Sequence, residues 1–372
     1  MLSTEPVRLN PEFIPAIDLV NRSRCATPAD TAPVPQQRVW LFSRRADFWL
    51  ASAGSALGLL AAVLVIFRHG DRELDALDFV LSELHLGATY DAIIRRRLWR
   101  GRRVDVLLVP FVILALTYAL SIGGQTILLT SITLYAAVWH RGRQSLGVAR
   151  FYQRDAGGAL SRVHAYLFRG AIYLPMFAAL VAYTHLAPEQ YEGQSYLALS
   201  EGTEFTSMIG VVALLWVITY LGWTLWQTRA AGGTTRIHPG EWWVTMAHAV
   251  AFGSGYVLGA SNASFLLVLA VHHEVQYLYF TYAMARRSAA LAPKKIVAER
   301  FRGRFVSAAS CNAPWSEAKF AASFLLWPVM GFVGAVVGAW LALGWLAPLG
   351  VGGLFCHYWL DGRIWTRKSF SH

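Results

Sequence analysis

The chain alternates long apolar runs with short stretches rich in arginine. A helix rises about 1.5 Å per residue and a bilayer's hydrocarbon core is about 30 Å thick, so about twenty apolar residues cross it. Runs of this kind are predicted at 48–67, 74–94, 104–121, 125–139, 164–185, 208–227, 242–259, 264–285, 320–341 and 344–365. The fold class that follows is all-α, a polytopic membrane helical bundle of about ten spans within residues 46–372. Residues 1–45 are polar and rich in proline, and are expected to form a weakly structured cytoplasmic leader. Gly123-Gly124 breaks the third run from the fourth.

Composition strengthens the membrane reading. A hydrophobic content of 55%, a charged content of 15% and a mean hydropathy of +0.40 exceed what a soluble core of 372 residues needs. The net charge of +11 would suit nucleic acid in a soluble protein. Here the arginines collect between apolar runs, at 95–103, 141–143 and 286–304 and after 363, while the loop at 187–204 is acidic and has no Lys or Arg. The positive-inside rule then turns charge into orientation: an inner-membrane, multi-pass protein with both termini cytoplasmic and no nucleic-acid partner. Cys25, Cys311 and Cys356 are widely spaced and form no CxxC, so neither a disulfide framework nor a thiolate zinc site is indicated.

Polar groups inside such runs are costly, and they are where function is sought. The run at 264–285 is interrupted by His272-His273-Glu274 and Gln276-Tyr277. Residues four apart share a helix face, which pairs His272 with Gln276 and His273 with Tyr277. The same spacing recurs as His140 with Gln144 and His357 with Asp361. Counted from the cytoplasmic boundaries, His85, His140, His248, His272, His273 and His357 bring imidazoles from five helices to the inner half of the membrane. His69 and His185 fall at the outer ends.

Neutral imidazole is a common ligand for zinc, iron and copper, and helix bundles build such sites from side chains that project inward. The candidate ligands are these six histidines with Asp361, and the expected cofactor is iron, one or two ions. Gln144, Gln276, Tyr277 and Arg143 are candidates for orienting a ligand, with Arg143 alternatively binding a head-group or neutralising Asp361. Glu83 and Asp91 flank His85 off its face and weigh less. Bland readings stand beside these. A single membrane histidine, His164 included, is more often a hydrogen-bonded packing residue, the aromatic runs are more often interfacial belts, and Asp361 could simply pair with Arg363.

The scatter of His85, His140, His272, His273 and His357 over cytoplasm-facing helix ends resembles the histidine-box membrane iron oxygenases. These are the fatty-acid desaturases and hydroxylases and, more loosely, the Brp/Blh-type carotene dioxygenases. Gln144 stands where an HxxxH box has its second histidine, and no HxxHH box is present. The resemblance implies iron- and oxygen-dependent hydroxylation, desaturation or cleavage of a lipid or isoprenoid substrate, with an electron donor as partner. The alternatives are a proton- or metal-coupled transporter and a non-catalytic assembly subunit of the membrane.

Overall fold

A computed structural model describes residues 40–51, 54–68, 71–95, 102–155, 161–187, 191, 194–198, 202–230, 237–301, 326, 329 and 347–364. The described residues are almost wholly helical, with no strand among them. The helices are α1 (Arg44–Ala51), α2 (Gly54–Arg68), α3 (Asp71–Arg95), α4 (Val109–Ile122), α5 (Thr126–Asp155), α6 (Arg162–Leu186), α7 (Thr203–Ala230), α8 (Pro239–Phe252), α9 (Leu266–Phe301) and α10 (Ala347–Ile364). A π-helical turn, Val104–Leu108, leads into α4, and another, Gly253–Leu258, prolongs α8. The expected leader and the run at 320–341 lie outside the described residues, apart from the leader's last few positions and two isolated ones in the run.

Three helical stretches are long and apolar enough to cross a membrane: Val104–Ile122, Arg162–Leu186 and Thr203–Ala230. Only 6% of the first is buried within the protein, and its outward face carries Leu107, Leu108 and Phe111. Apolar surface of that extent needs an apolar surround.

Local chemistry explains most helix ends. Ser161 caps α6 by accepting from the His164 backbone N–H, and His238 caps α8 by accepting from Gly240, with Pro239 in the first helical position. Between α4 and α5, Gly124 takes φ +73°, a left-handed conformation that glycine adopts without strain. Two expected boundaries are corrected. The segment His140 to Gln144, read as the loop after a span, lies in the middle of α5, and the basic segment after residue 285 continues α9 to Phe301. The helices run on through Gly142 and Pro293 as well as through the arginines, so charge alone does not end them.

The core joins helices distant in sequence. α9 packs on α2 and α3, α10 on α3, α4 and α5, and α5 on α8 and α9. Gly58 of α2 lies directly against the backbone of α9, since a Cβ there would stand 2.9 Å from the Val268 Cα. Asp47 ties the start of the described chain to this core. It is fully buried, and its carboxylate accepts from the backbone N–H groups of Leu41 (2.7 Å) and Phe42 (3.1 Å), from the Tyr152 hydroxyl (2.8 Å) and from Tyr279.

Candidate metal centre

Four helices that touch one another, α3, α5, α9 and α10, each turn one histidine toward a common point. These are His85, His140, His273 and His357, all buried, and one ring nitrogen from each lies within 4.8 Å of the others. Their rings form an irregular square. Centroids are 4.5 Å apart for His85–His273 and His85–His357, and 5.0 and 4.9 Å for His140–His273 and His140–His357, with 6.2 Å across the His85–His140 diagonal.

The helices are held in register by polar ties around this square. Gln144 on α5 donates to the His273 carbonyl (2.7 Å), and Ser82 on α3 donates to Glu274 (2.6 Å). On the far side α10 is clamped to the start of α4. The Trp359 indole donates to the Asp105 carbonyl (3.0 Å), Arg102 donates to the Arg363 carbonyl (2.8 Å) and the Cys356 thiol to the Pro110 carbonyl (3.3 Å).

Inside the square the hydrogen bonding is incomplete. The Nε2 atoms of His85 and His357 are 2.7 Å apart, but His85 Nδ1, His140 Nε2 and His273 Nδ1 have no hydrogen-bond partner among the described residues. Buried polar atoms are normally paired, and a group of imidazoles with unpaired nitrogens this close together could hold a metal ion. Four imidazoles at this spacing cannot all be protonated, because like charges in a poorly solvated interior repel strongly. Neutral imidazole is the form that ligates metal.

Asp361, one turn beyond His357, borders the square. Its Oδ2 is 3.6 Å from His357 Nε2 and 3.7 Å from His140 Nε2, while its Oδ1 accepts from Thr89 (2.7 Å) and Tyr277 (2.6 Å). Asp361 thus stands outside the four-nitrogen group with one oxygen facing it. The alternative pairing with Arg363 is not what the structure has, since Arg363 lies 3.6 Å from Asp105. The Tyr277 ring also packs on His85, with centroids 4.1 Å apart.

Other candidates lie elsewhere. His248 faces α6, where its Nε2 donates to the Ile172 carbonyl (2.9 Å). His272 is buried toward α2, its Cα close to Gly54, and neither ring nitrogen has a hydrogen-bond partner among the described residues. Successive residues on a helix point about 100° apart, so only one of His272 and His273 can join the square. Gln276 shares the His272 face and donates to the Ala51 carbonyl (3.0 Å). Neither glutamine bonds an imidazole ring. Arg143 points away, with its guanidinium 3.4 Å from the Tyr173 hydroxyl and 6.0 Å from the Trp139 ring.

Thr89 escaped the sequence reading, although it sits four residues after His85 and the same spacing rule finds it. A second polar cluster had been read only as His164. The His164 ring is 2.7 Å from Glu241, which also accepts from Tyr220 (2.9 Å), three buried side chains from α6, α7 and α8. This is the packing role expected of a lone membrane histidine, with a carboxylate as its partner.

Compared with models of protein families, with curated proteins and with solved structures, the chain matches none. The residues themselves therefore carry what can be said of function: four buried histidines placed so that they could hold a metal ion.

Proposed function

We propose that this chain is a multi-pass protein of the cell membrane that binds iron at its four-histidine centre and acts with dioxygen on a lipid or isoprenoid chain. The reaction would be hydroxylation, desaturation or cleavage, with electrons from a separate donor where the reaction needs them. The observation that carries the reading is the convergence of four buried imidazoles, three of which have a ring nitrogen without a hydrogen-bond partner among the described residues. Nitrogen and oxygen donors without thiolate suit iron, copper, nickel or zinc. Four histidines would saturate a tetrahedral zinc ion, whereas six-coordinate iron keeps two positions for an exogenous ligand.

Iron at this centre would supply the redox chemistry toward dioxygen. The chain's own contribution is to hold the nitrogens, keep bulk water away by burial, and place the Asp361 carboxylate beside the ligand set. The apolar flanks of Val104–Ile122 and Thr203–Ala230 suit a bilayer, from which an apolar substrate reaches a buried site without crossing water. The ten-span topology, with both termini cytoplasmic, belongs to the same proposal.

Elemental analysis of detergent-purified protein tests it. We expect about one iron per chain, lost in a His273→Ala, His357→Ala double variant that remains folded. Purified wild type that neither contains nor takes up iron, or a double variant that keeps the full load, refutes it. Lipid profiles of cells with and without the protein then identify the substrate.

A further inference from the structure

We infer that Thr89 is a positioning residue that holds His357 in its Nδ1–H form, so that Nε2 is the nitrogen offered to the centre. The consequence for metal binding rests on the function proposed above, but the proton placement does not.

The argument is a count of hydrogens. Thr89 Oγ1, Tyr277 OH and Asp361 Oδ1 form a buried triangle with sides of 2.8, 2.7 and 2.6 Å. Two hydroxyl hydrogens serve three oxygens, and both hydroxyls donate to Asp361 Oδ1. It is also the strongest acceptor of the three, so both hydrogens are drawn toward Asp361, directly or around the triangle. Thr89 then has no hydrogen left for its remaining neighbour, His357 Nδ1, at 2.9 Å. Across that contact the threonine oxygen accepts and the imidazole donates. Turning the Thr89 hydrogen to His357 instead would give up its shorter bond to the carboxyl oxygen, 2.7 Å against 2.9 Å, and leave Oδ1 with Tyr277 as its single donor.

With its proton on Nδ1, His357 presents a lone pair at Nε2. The His85 Nε2 2.7 Å away must then carry a proton in the metal-free state. The centre is therefore asymmetric. His357 is set in advance by a hydroxyl from another helix, whereas His85 must move a proton to its unpartnered Nδ1 before Nε2 can ligate. Asp361 acts on His357 Nδ1 only through Thr89, because its own free oxygen faces the other side of that ring.

The test uses the metal-stripped, full-length protein labelled with 15N-histidine in detergent, with the His357 signals assigned by their absence in His357→Gln. Imidazole 15N shifts separate protonated from unprotonated nitrogens. We expect Nδ1–H for His357 in wild type and in Thr89→Ser, and a mixed or Nε2–H population in Thr89→Val, which keeps the shape and lacks the hydroxyl. Iron affinity should fall about 10- to 100-fold in Thr89→Val and recover in Thr89→Ser. Nε2–H in wild type overturns the inference, as does a folded Thr89→Val with wild-type shifts and affinity. Failure of the serine to restore what valine loses assigns Thr89 to packing and overturns it too. If wild type binds no iron, the function proposed above fails, while the shifts of the metal-free protein still decide the role of Thr89.

Discussion

His85 and His357 meet at 2.7 Å between Nε2 atoms, although 272 residues separate them in the chain. Two neutral imidazoles approach this closely only when one donates and the other accepts. That hydrogen bond would have to open for both nitrogens to bind one ion.

The six histidines should separate into two groups. Alanine at His85, His140, His273 or His357 removes one of four ligands, and bound metal should drop at least tenfold in each purified variant. His248→Ala should keep its metal. His272→Leu should keep it as well and unfold at the same or a higher temperature, because replacing a buried, unpartnered polar group by an apolar one removes a penalty of about 1–3 kcal/mol. Metal loss in His272→Leu would place that ring at the centre after all.

Acid should release the ion, since each imidazole exchanges metal for a proton and bound protons are disfavoured in the loaded state. Stability gained from metal is then present at neutral pH and lost as pH falls. With free metal at a thousand times its Kd the gain is about 4 kcal/mol, a rise of several degrees in Tm that chelator should reverse. Melting curves with and without chelator, repeated at falling pH, measure it.

Asp47→Ala should cost about 3 kcal/mol or more, because it leaves the Tyr152 hydroxyl, the Tyr279 hydroxyl and two backbone N–H groups without their acceptor. Asp47→Asn, which keeps one acceptor oxygen, should cost less. Thermal unfolding ranks the two, and equal losses would show that the tie contributes through packing alone.

Gly58→Ala should loosen α2 from α9. The added methyl carbon would meet the backbone at Val268, which cannot rotate away, so a loss of about 1–3 kcal/mol is expected. Gly353→Ala on α10, where a Cβ meets nothing within 4 Å, is the matched control and should be near neutral. Both are read from detergent melting curves.

The helices were legible because hydrophobic runs and glycine punctuation are local signals. Their lengths were not. The sequence reading ended spans at the arginines of 141–143 and 286–287, whereas the structure carries α5 and α9 through them. His85, His140, His273 and His357 are legible as polar residues too expensive for an apolar run, and the structure brings them together. Adjacent residues cannot face one point from one helix, so His272 lies apart from them. What no single sequence displays is which face of α8 meets α6, and that contact sends His248 to the Ile172 carbonyl.

The ligands enter the chain in the order His85, His140, His273, His357, and the last is carried by the final described helix. No shorter amino-terminal fragment of this chain holds the complete set. A ribosome must pass residue 357 before α10 can pack beside α3 and close the square. On the function proposed above, a nascent polypeptide stalled before residue 347 offers an ion three imidazoles and an open side.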